Sequence, residues 1–386
     1  MSAPLPHYRL DGPAGAPVVV LSNSLGTDLG LWDPQLPVLT RHFRVLRYDP
    51  RGHGSTPWTD GALAIDDLAR DLGALLDHVG VERASIVGVS LGGMTAMAFA
   101  RLAPQRVDRL VLCCTSARLG PPEAWHERAA LVRAGGMAAV AERVLARWFT
   151  PGFAAAHPAV VERIAAMLRA TDPRAYAACC EAIAAMNLLP SLPSLTAPAL
   201  VIAAADDPAT PPEHGTAIAE AIPGARLVVI ANAAHLANVE QPDAVTAAIL
   251  SHLAPDAIVR DAALRSTGER IRREVLGDAH VDAAAARATP FTADFQDYIT
   301  RAAWGAIWSR PGLDRRTRSA ITVAMLVALG RDDELTLHVR AARTNGLSVA
   351  ELREILLQTA VYCGVPAANH AFAVASAALG VDVQSA

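Results

Sequence analysis

Ala84-Ser85-Ile86-Val87-Gly88-Val89-Ser90-Leu91-Gly92-Gly93-Met94 decides the fold. A short apolar run leads into Gly88-x-Ser90-x-Gly92, and the helix-forming stretch 94–102 follows at once. Strand, sharp turn and helix form the setting in which a serine hydroxyl stands clear of a parallel sheet on a strained turn. Glycines at 88 and 92 let strand and helix approach closely. At average residue frequencies such a string arises by accident about 0.1 times in a chain this long, and rarely between a buried strand and a helix. Ser90 therefore reads as a nucleophile.

Outward from Ser90, short apolar runs at 18–22, 44–48, 84–89, 110–114, 200–203 and 225–230 alternate with helical stretches. That alternation predicts an α/β fold with a mainly parallel sheet and crossover helices over 1–255. One interval, about 120–192, reads as several amphipathic helices without a strand, the place for a helical cap over a site. After Ala254-Pro255-Asp256 the alternation stops, and 256–386 shows helical periodicity only, with helices expected at 315–329, 333–344, 349–362 and 366–379. A separate all-α domain follows from this, and 386 residues suffice for two cores.

Composition narrows the function. The net charge is -4, which gives no broad basic field for nucleic acid or an anionic membrane. No run approaches the roughly 18 apolar residues of a membrane span, and the first residues carry no basic-then-apolar leader, so a cytoplasmic protein is expected. The five cysteines, Cys113-Cys114, Cys179-Cys180 and Cys363, suit free thiols in a reducing compartment. Every basic residue is arginine. Without lysine no Schiff base can form, so pyridoxal phosphate and amine catalysis are unavailable. No cofactor or metal is expected.

A serine nucleophile needs a base and a carboxylate that orients it, and on this fold the chain order is serine, acid, histidine. His235 follows the run ending at Ile230. The acid lies in Asp206-Asp207-Pro208 after the run ending at Ala203, and Asp207 is preferred over Asp206. Backbone N–H donors for the oxyanion are expected at Leu91, after the nucleophile, and at Leu25 in Ser22-Asn23-Ser24-Leu25-Gly26. Asp49-Pro50-Arg51-Gly52-His53-Gly54-Ser55 reads as a tight loop bracing the site rather than as part of it.

At these residues the first domain resembles the α/β-hydrolases. Ser22-Asn23-Ser24-Leu25-Gly26-Thr27, Gly88 to Gly93, Asp206 to Pro211 and Arg147-Trp148-Phe149-Thr150-Pro151 are similar to the 3-oxoadipate enol-lactonase branch, which carries Asn23-Ser24 where many relatives have His-Gly. The resemblance implies hydrolysis of an enol-lactone bearing a carboxylate. Because guanidinium pairs bidentately with carboxylate, Arg133, with Trp148 beside it, is the cap candidate for binding that group.

In the helical domain, Glu334 and His338 are one turn apart and could form a proton-transfer pair. By itself this spacing also describes a solvated surface pair. Arg318 to Arg331, Glu334, His338, Thr344-Asn345-Gly346 and Thr359 to Pro366 resemble the carboxymuconolactone decarboxylase family, from about residue 291 onward. The wider alkylhydroperoxidase-like superfamily includes members with a CxxC pair. Here those two positions read Arg331 and Glu334, which excludes dithiol peroxidase chemistry. Decarboxylation without a cofactor needs an electron sink in the substrate, which a muconolactone carbonyl supplies. Glu334 and His338 suit proton delivery, Arg331 and Arg340 anion binding, and Tyr362 and His370 are further candidates.

The paired resemblance implies a bifunctional enzyme of the β-ketoadipate pathway acting on dicarboxylate and lactone substrates, a homo-oligomer assembled through its C-terminal domain. Two alternatives stay open. The helical domain could be an oligomerisation module without chemistry, or the hydrolase could act on esters or carbon–carbon bonds rather than lactones.

Overall fold

Four of the strands expected around Ser90 are apolar along most of their length because helices cover both faces of the sheet, as parallel sheets require. The computed structural model describes residues 4–380, and over 256–260 the backbone alone. Seven strands, β1 (Tyr8–Asp11), β2 (Val18–Ser22), β3 (Arg44–Tyr48), β4 (Ala84–Val89), β5 (Val107–Cys113), β6 (Ala199–Ala204) and β7 (Arg226–Ile230), form one sheet in the order β1-β3-β2-β4-β5-β6-β7. All neighbours are parallel except β1 and β3, where Tyr8 lies opposite Tyr48. The edge strand β1 escapes the sequence reading because the alternation of Tyr8-Arg9-Leu10-Asp11 lasts only four residues, too few to stand out as a strand pattern.

The central strands β4 and β6 are buried at every residue. Helices α1 (Ile65–His78) and α2 (Leu91–Leu102) lie against each other and α2 packs on β4. Between β5 and β6 the chain forms only helices: α3 (Pro122–Gly135), α4 (Ala141–Trp148), α5 (Pro151–Ala156), α6 (Pro158–Ala170) and α7 (Pro173–Ala185), with a short 3-10 turn after them. Proline in the first turn starts α3, α5, α6 and α7, where its missing N–H costs nothing. After β6 come α8 (Pro212–Ala221) and, beyond β7, α9 (Pro242–Leu253).

The chain divides into two compact units, Met1–Pro255 and Asp256–Ala386. The second is helical throughout its described residues: α10 (Pro255–Leu276), α11 (Asp278–Ala286), α12 (Pro290–Ile299), a π-helical stretch Thr300–Trp308, then α13 (Arg315–Leu329), α14 (Asp332–Thr344), α15 (Val349–Cys363) and α16 (Val365–Leu379). Val323, Val327, Leu335, Val339, Leu352 and Leu356 fill the core of the last four helices. A smaller core of Ile271, Val275, Trp304 and Ala341 joins α10 to the π-helical stretch. There the backbones nearly touch, since a Cβ on Gly268 would stand 2.0 Å from Thr300 O and one on Gly305 would stand 2.2 Å from Leu264 O.

Candidate active sites

Ser90 takes φ 54° and ψ -115° between β4 and α2. For a non-glycine residue this is strained, at a cost of about 1–3 kcal/mol, and the surrounding bonds hold it there. Its N–H donates to Cys113 O at 3.0 Å, and its carbonyl accepts from Met94 N–H at 3.1 Å and Thr115 Oγ1 at 2.6 Å. The flanking glycines are needed for close approach: a Cβ on Gly92 would lie 2.1 Å from Ser22 O, and one on Gly88 would lie 2.3 Å from Gly92 O.

His235 and Asp207 come from the loops after β7 and β6, and both are almost fully buried. His235 Nδ1 lies 2.9 Å from Asp207 Oδ2, which leaves Nε2 as the free proton acceptor. Asp207 also accepts from Ala209 N–H at 2.7 Å, Thr210 N–H at 3.0 Å and Thr210 Oγ1 at 2.7 Å. Burial works against its charge, but the His235 charge and the hydrogen bonds from His235 and Thr210 outweigh burial and hold the carboxyl far below the usual carboxylate range. Asp206, its neighbour, is exposed.

A cavity of about 40 Å³ brings Ser90 and His235 together with Ser24, Leu25, Arg128, Arg147, Trp148 and Tyr176. Leu91 is the first residue of α2, so its N–H is one of those a helix leaves unused. The Leu25 loop is braced from behind: Gly26 N–H donates to His53 Nε2 at 2.9 Å, and Asn23 Nδ2 donates to Tyr48 O at 2.8 Å. His53 Nδ1 faces Arg51 O at 3.1 Å, so one tautomer serves both contacts. Burial pushes its pKa down and keeps the ring neutral, outweighing the Arg51 carbonyl and Asp49.

The cap arginine expected at this cavity is displaced. Arg133 lies on the outside of the cap, half exposed, in a bidentate pair with Glu181 at 2.5 and 2.8 Å. Arg128 and Arg147 line the cavity instead. Arg128 stands over the Trp125 ring at 4.5 Å, and Arg147 Nη2 donates to Pro208 O at 2.7 Å. Burial first, and the neighbouring Arg128 charge second, lower the Arg147 pKa, against an opposing pull from Asp207 and Tyr176. Helical phase was the missed signal: Arg133 is five residues past Arg128, about 140° round the helix.

In the second unit Glu334 occupies the exposed first turn of α14, and His338 follows one turn later, half-buried. The His338 ring stacks on Trp308 with centroids 6.4 Å apart, and its Nδ1 is buried without a partner among the described residues. Burial and the His280 charge lower its pKa, against an opposing pull from Glu334. The other expected residues lie differently. Arg331 is exposed at the start of α14, Arg340 Nε donates back to Ala378 O at 3.2 Å, and Tyr362 is 79% exposed. His370 is exposed and paired with Asp332 at 2.9 Å. Arg340, Tyr362 and His370 are thus engaged elsewhere or face solvent, each turned outward by the phase of its own helix, which buries Leu335 and Val339 on α14, Leu352, Leu356 and Thr359 on α15, and Ala368, Ala371 and Ala375 on α16.

The chain matches the alpha/beta hydrolase fold family over residues 17–242 and the carboxymuconolactone decarboxylase family over residues 293–377. It is 39% identical to 3-oxoadipate enol-lactonase 2 of Acinetobacter baylyi over 243 residues, 63% of this chain and 91% of that one. It is 50% identical to 4-carboxymuconolactone decarboxylase of the same organism over 104 residues, 27% of this chain and 78% of that one. Among solved structures, the enol-lactonase from Burkholderia xenovorans is similar with a TM-score of 0.63 and 44% identity, covering 64% of this chain and 96% of that one. The chain therefore belongs to the α/β-hydrolase family in its first unit and to the carboxymuconolactone decarboxylase family in its second.

Proposed function

We propose that the chain is a bifunctional enzyme of the protocatechuate branch of the β-ketoadipate pathway. Its C-terminal unit decarboxylates 4-carboxymuconolactone to 3-oxoadipate enol-lactone, and its N-terminal unit hydrolyses that product to 3-oxoadipate. The observation that carries this reading is the presence, in one chain, of two families whose named relatives act on consecutive compounds.

In the first unit Ser90 Oγ attacks the lactone carbonyl while His235 Nε2 takes its proton. The oxyanion is held by the Leu25 and Leu91 N–H groups. The ring C–O bond breaks, His235 returns the proton to the leaving enol oxygen, and the enol becomes the ketone. Water, deprotonated by His235, then releases the acyl-enzyme, with Asp207 orienting the imidazole throughout. Arg128 and Arg147 take the substrate carboxylate, with Trp148 beside them.

In the second unit the bond to the departing carboxylate breaks, its electrons flow toward the lactone carbonyl, carbon dioxide leaves, and a proton from the Glu334–His338 pair completes the product. Arg331, at the head of the same helix, is placed to attract the anionic substrate. The enzyme works in the cytoplasm, which its unbridged thiols suit. It assembles through this unit: Ile321, Met325 and Leu329 form an exposed apolar stripe on α13, and Leu357 and Val361 a second on α15, which a second copy would cover.

The test is to give the full chain 4-carboxymuconolactone and follow carbon dioxide, enol-lactone and 3-oxoadipate together. Ser90→Ala should still release carbon dioxide and accumulate the enol-lactone. Loss of carbon dioxide release with lactone hydrolysis spared would overturn the assignment.

A further inference from the structure

A second cavity, of about 270 Å³, lies within the C-terminal unit between α10, α11 and α12, lined by three arginines and by two carboxylates, Asp297 and Glu269, the latter 3.8 Å from Arg273. The arginine charges are unequally matched. Arg265 lies 3.4 Å from Asp297, and Arg273 is held by Asp278 at 3.1 Å and Asp282 at 2.8 Å. Arg272 has no carboxylate partner among the described residues. Its Nη1 donates to the neutral Gln296 amide oxygen at 3.2 Å, while its Nε is buried with no acceptor among the described residues. A buried N–H left in that state costs about 1–3 kcal/mol until something accepts from it. A carboxylate fits, because its two oxygens match one edge of a guanidinium.

The wall of the cavity is tied to the helix of His338 by packing: Ile271, next to Arg272, shares a core with Trp304 and with Ala341, three residues after His338 on α14. Thr300, on its wall, opens the π-helical stretch that ends at Trp308, and Trp308 stacks on His338. Helical stretches of this kind are rare and are frequent at functional sites. His338 Nδ1 is the other buried side-chain atom without a partner among the described residues of this unit.

We propose that Arg272 binds a carboxylate of the decarboxylase substrate in this cavity, specifically the arm that is retained in the product. The assignment rests on the decarboxylase reading of the unit. The retained arm is the right one on energetic grounds: a cation clamped on the departing carboxylate would stabilise the charge that must vanish as carbon dioxide forms, and so favour the ground state over the transition state.

Two measurements on the full chain test this. In the first, initial rates of carbon dioxide release from 4-carboxymuconolactone are compared for the wild type, Arg272→Gln and Arg272→Lys. Arg272→Gln should raise KM about tenfold or more, equivalent to about 1.4 kcal/mol, with kcat changed far less. Arg272→Lys should recover part of the loss, and enol-lactone hydrolysis should be unaltered. A folded Arg272→Gln protein whose KM stays within about twofold of wild type overturns the proposal. In the second, adipate, a dicarboxylate with no reactive ring, is added to the wild type during modification by phenylglyoxal, and labelling of Arg272 is read by peptide mass spectrometry. Adipate should protect Arg272, and absence of protection overturns the proposal even if the Gln variant does not fold. A wild type that releases no carbon dioxide sinks the decarboxylase reading, whereas the protection result still decides whether Arg272 is a carboxylate site.

Discussion

Glu240 ties the histidine loop to the cap through Thr150. Its buried carboxylate accepts from Thr150 Oγ1 and, at 3.2 Å, from Thr150 N–H, while its other oxygen accepts from Ala234 N–H at 2.9 Å, one residue before His235. Leu236 N–H adds a bond to Trp148 O at 3.0 Å. The base and the cap wall that carries Arg147 and Trp148 are therefore positioned as one piece. Hydrogen bonds to a charged group contribute about 1.5–3 kcal/mol, and small misplacements of a base cost rate steeply.

Glu240→Ala should accordingly lower kcat/KM for enol-lactone hydrolysis about tenfold or more. Glu240→Gln, which keeps one acceptor, should fall between, and carbon dioxide release should not change. Steady-state assays of both reactions on each variant check this, and an unaltered hydrolysis rate for Glu240→Ala would remove the tie from the mechanism.

Arg128 and Arg147 differ from Arg133 in what they face. Losing one charged partner of a carboxylate should raise KM for the lactone about tenfold in Arg147→Ala, and by a similar factor in Arg128→Ala. Arg133→Ala should leave KM unchanged, because that side chain is spent on Glu181 at the exterior. The reverse order of effects would return the carboxylate to Arg133.

Much of this arrangement was legible from the residues. The turn at Ser90, the order of Asp207 and His235, and the helical character after Pro255 all follow from local pattern, because each depends on neighbours within a few residues. What escaped depends on contacts distant in sequence. Strand β1 exists only because it pairs with β3. Glu240 looks like an ordinary helix-start acid until the fold brings Thr150, ninety residues away, onto it. Arg272 and His280 lie before the stretch whose motifs suggested decarboxylation, so nothing local drew attention to them.

His53 makes the first unit sensitive to mild acid. Burial lowers its pKa below 6.5 in the folded chain. The unfolded chain thus takes up a proton that the native imidazole refuses, and stability falls as pH drops from about 6.5. Asp207, with its pKa lowered, works in the same direction further down, its contribution being lost as pH falls below 3.8. His53→Gln should reduce the loss between about pH 7 and 5.5 while leaving the share due to buried His252, whose pKa burial also lowers. Hydrogen exchange of peptides from residues 1–255 at the two pH values gives the comparison. An identical pH dependence in wild type and His53→Gln would show that the ring titrates normally.

His338 lies between two opposed neighbours, and that makes its titration diagnostic. Burial lowers its pKa, the His280 charge lowers it further, and Glu334 raises it. Glu334→Gln should therefore move the His338 titration to lower pH, and His280→Gln should move it to higher pH, as read from its ring proton resonances. If His338 delivers the proton in decarboxylation, its imidazolium form must be the active one, so carbon dioxide release should rise as pH falls through an inflection below 6.5. That inflection should shift with each variant in the same sense as the resonance. Variants that move the resonance but leave the rate profile in place would assign the proton to another group and leave His338 a packing partner of Trp308.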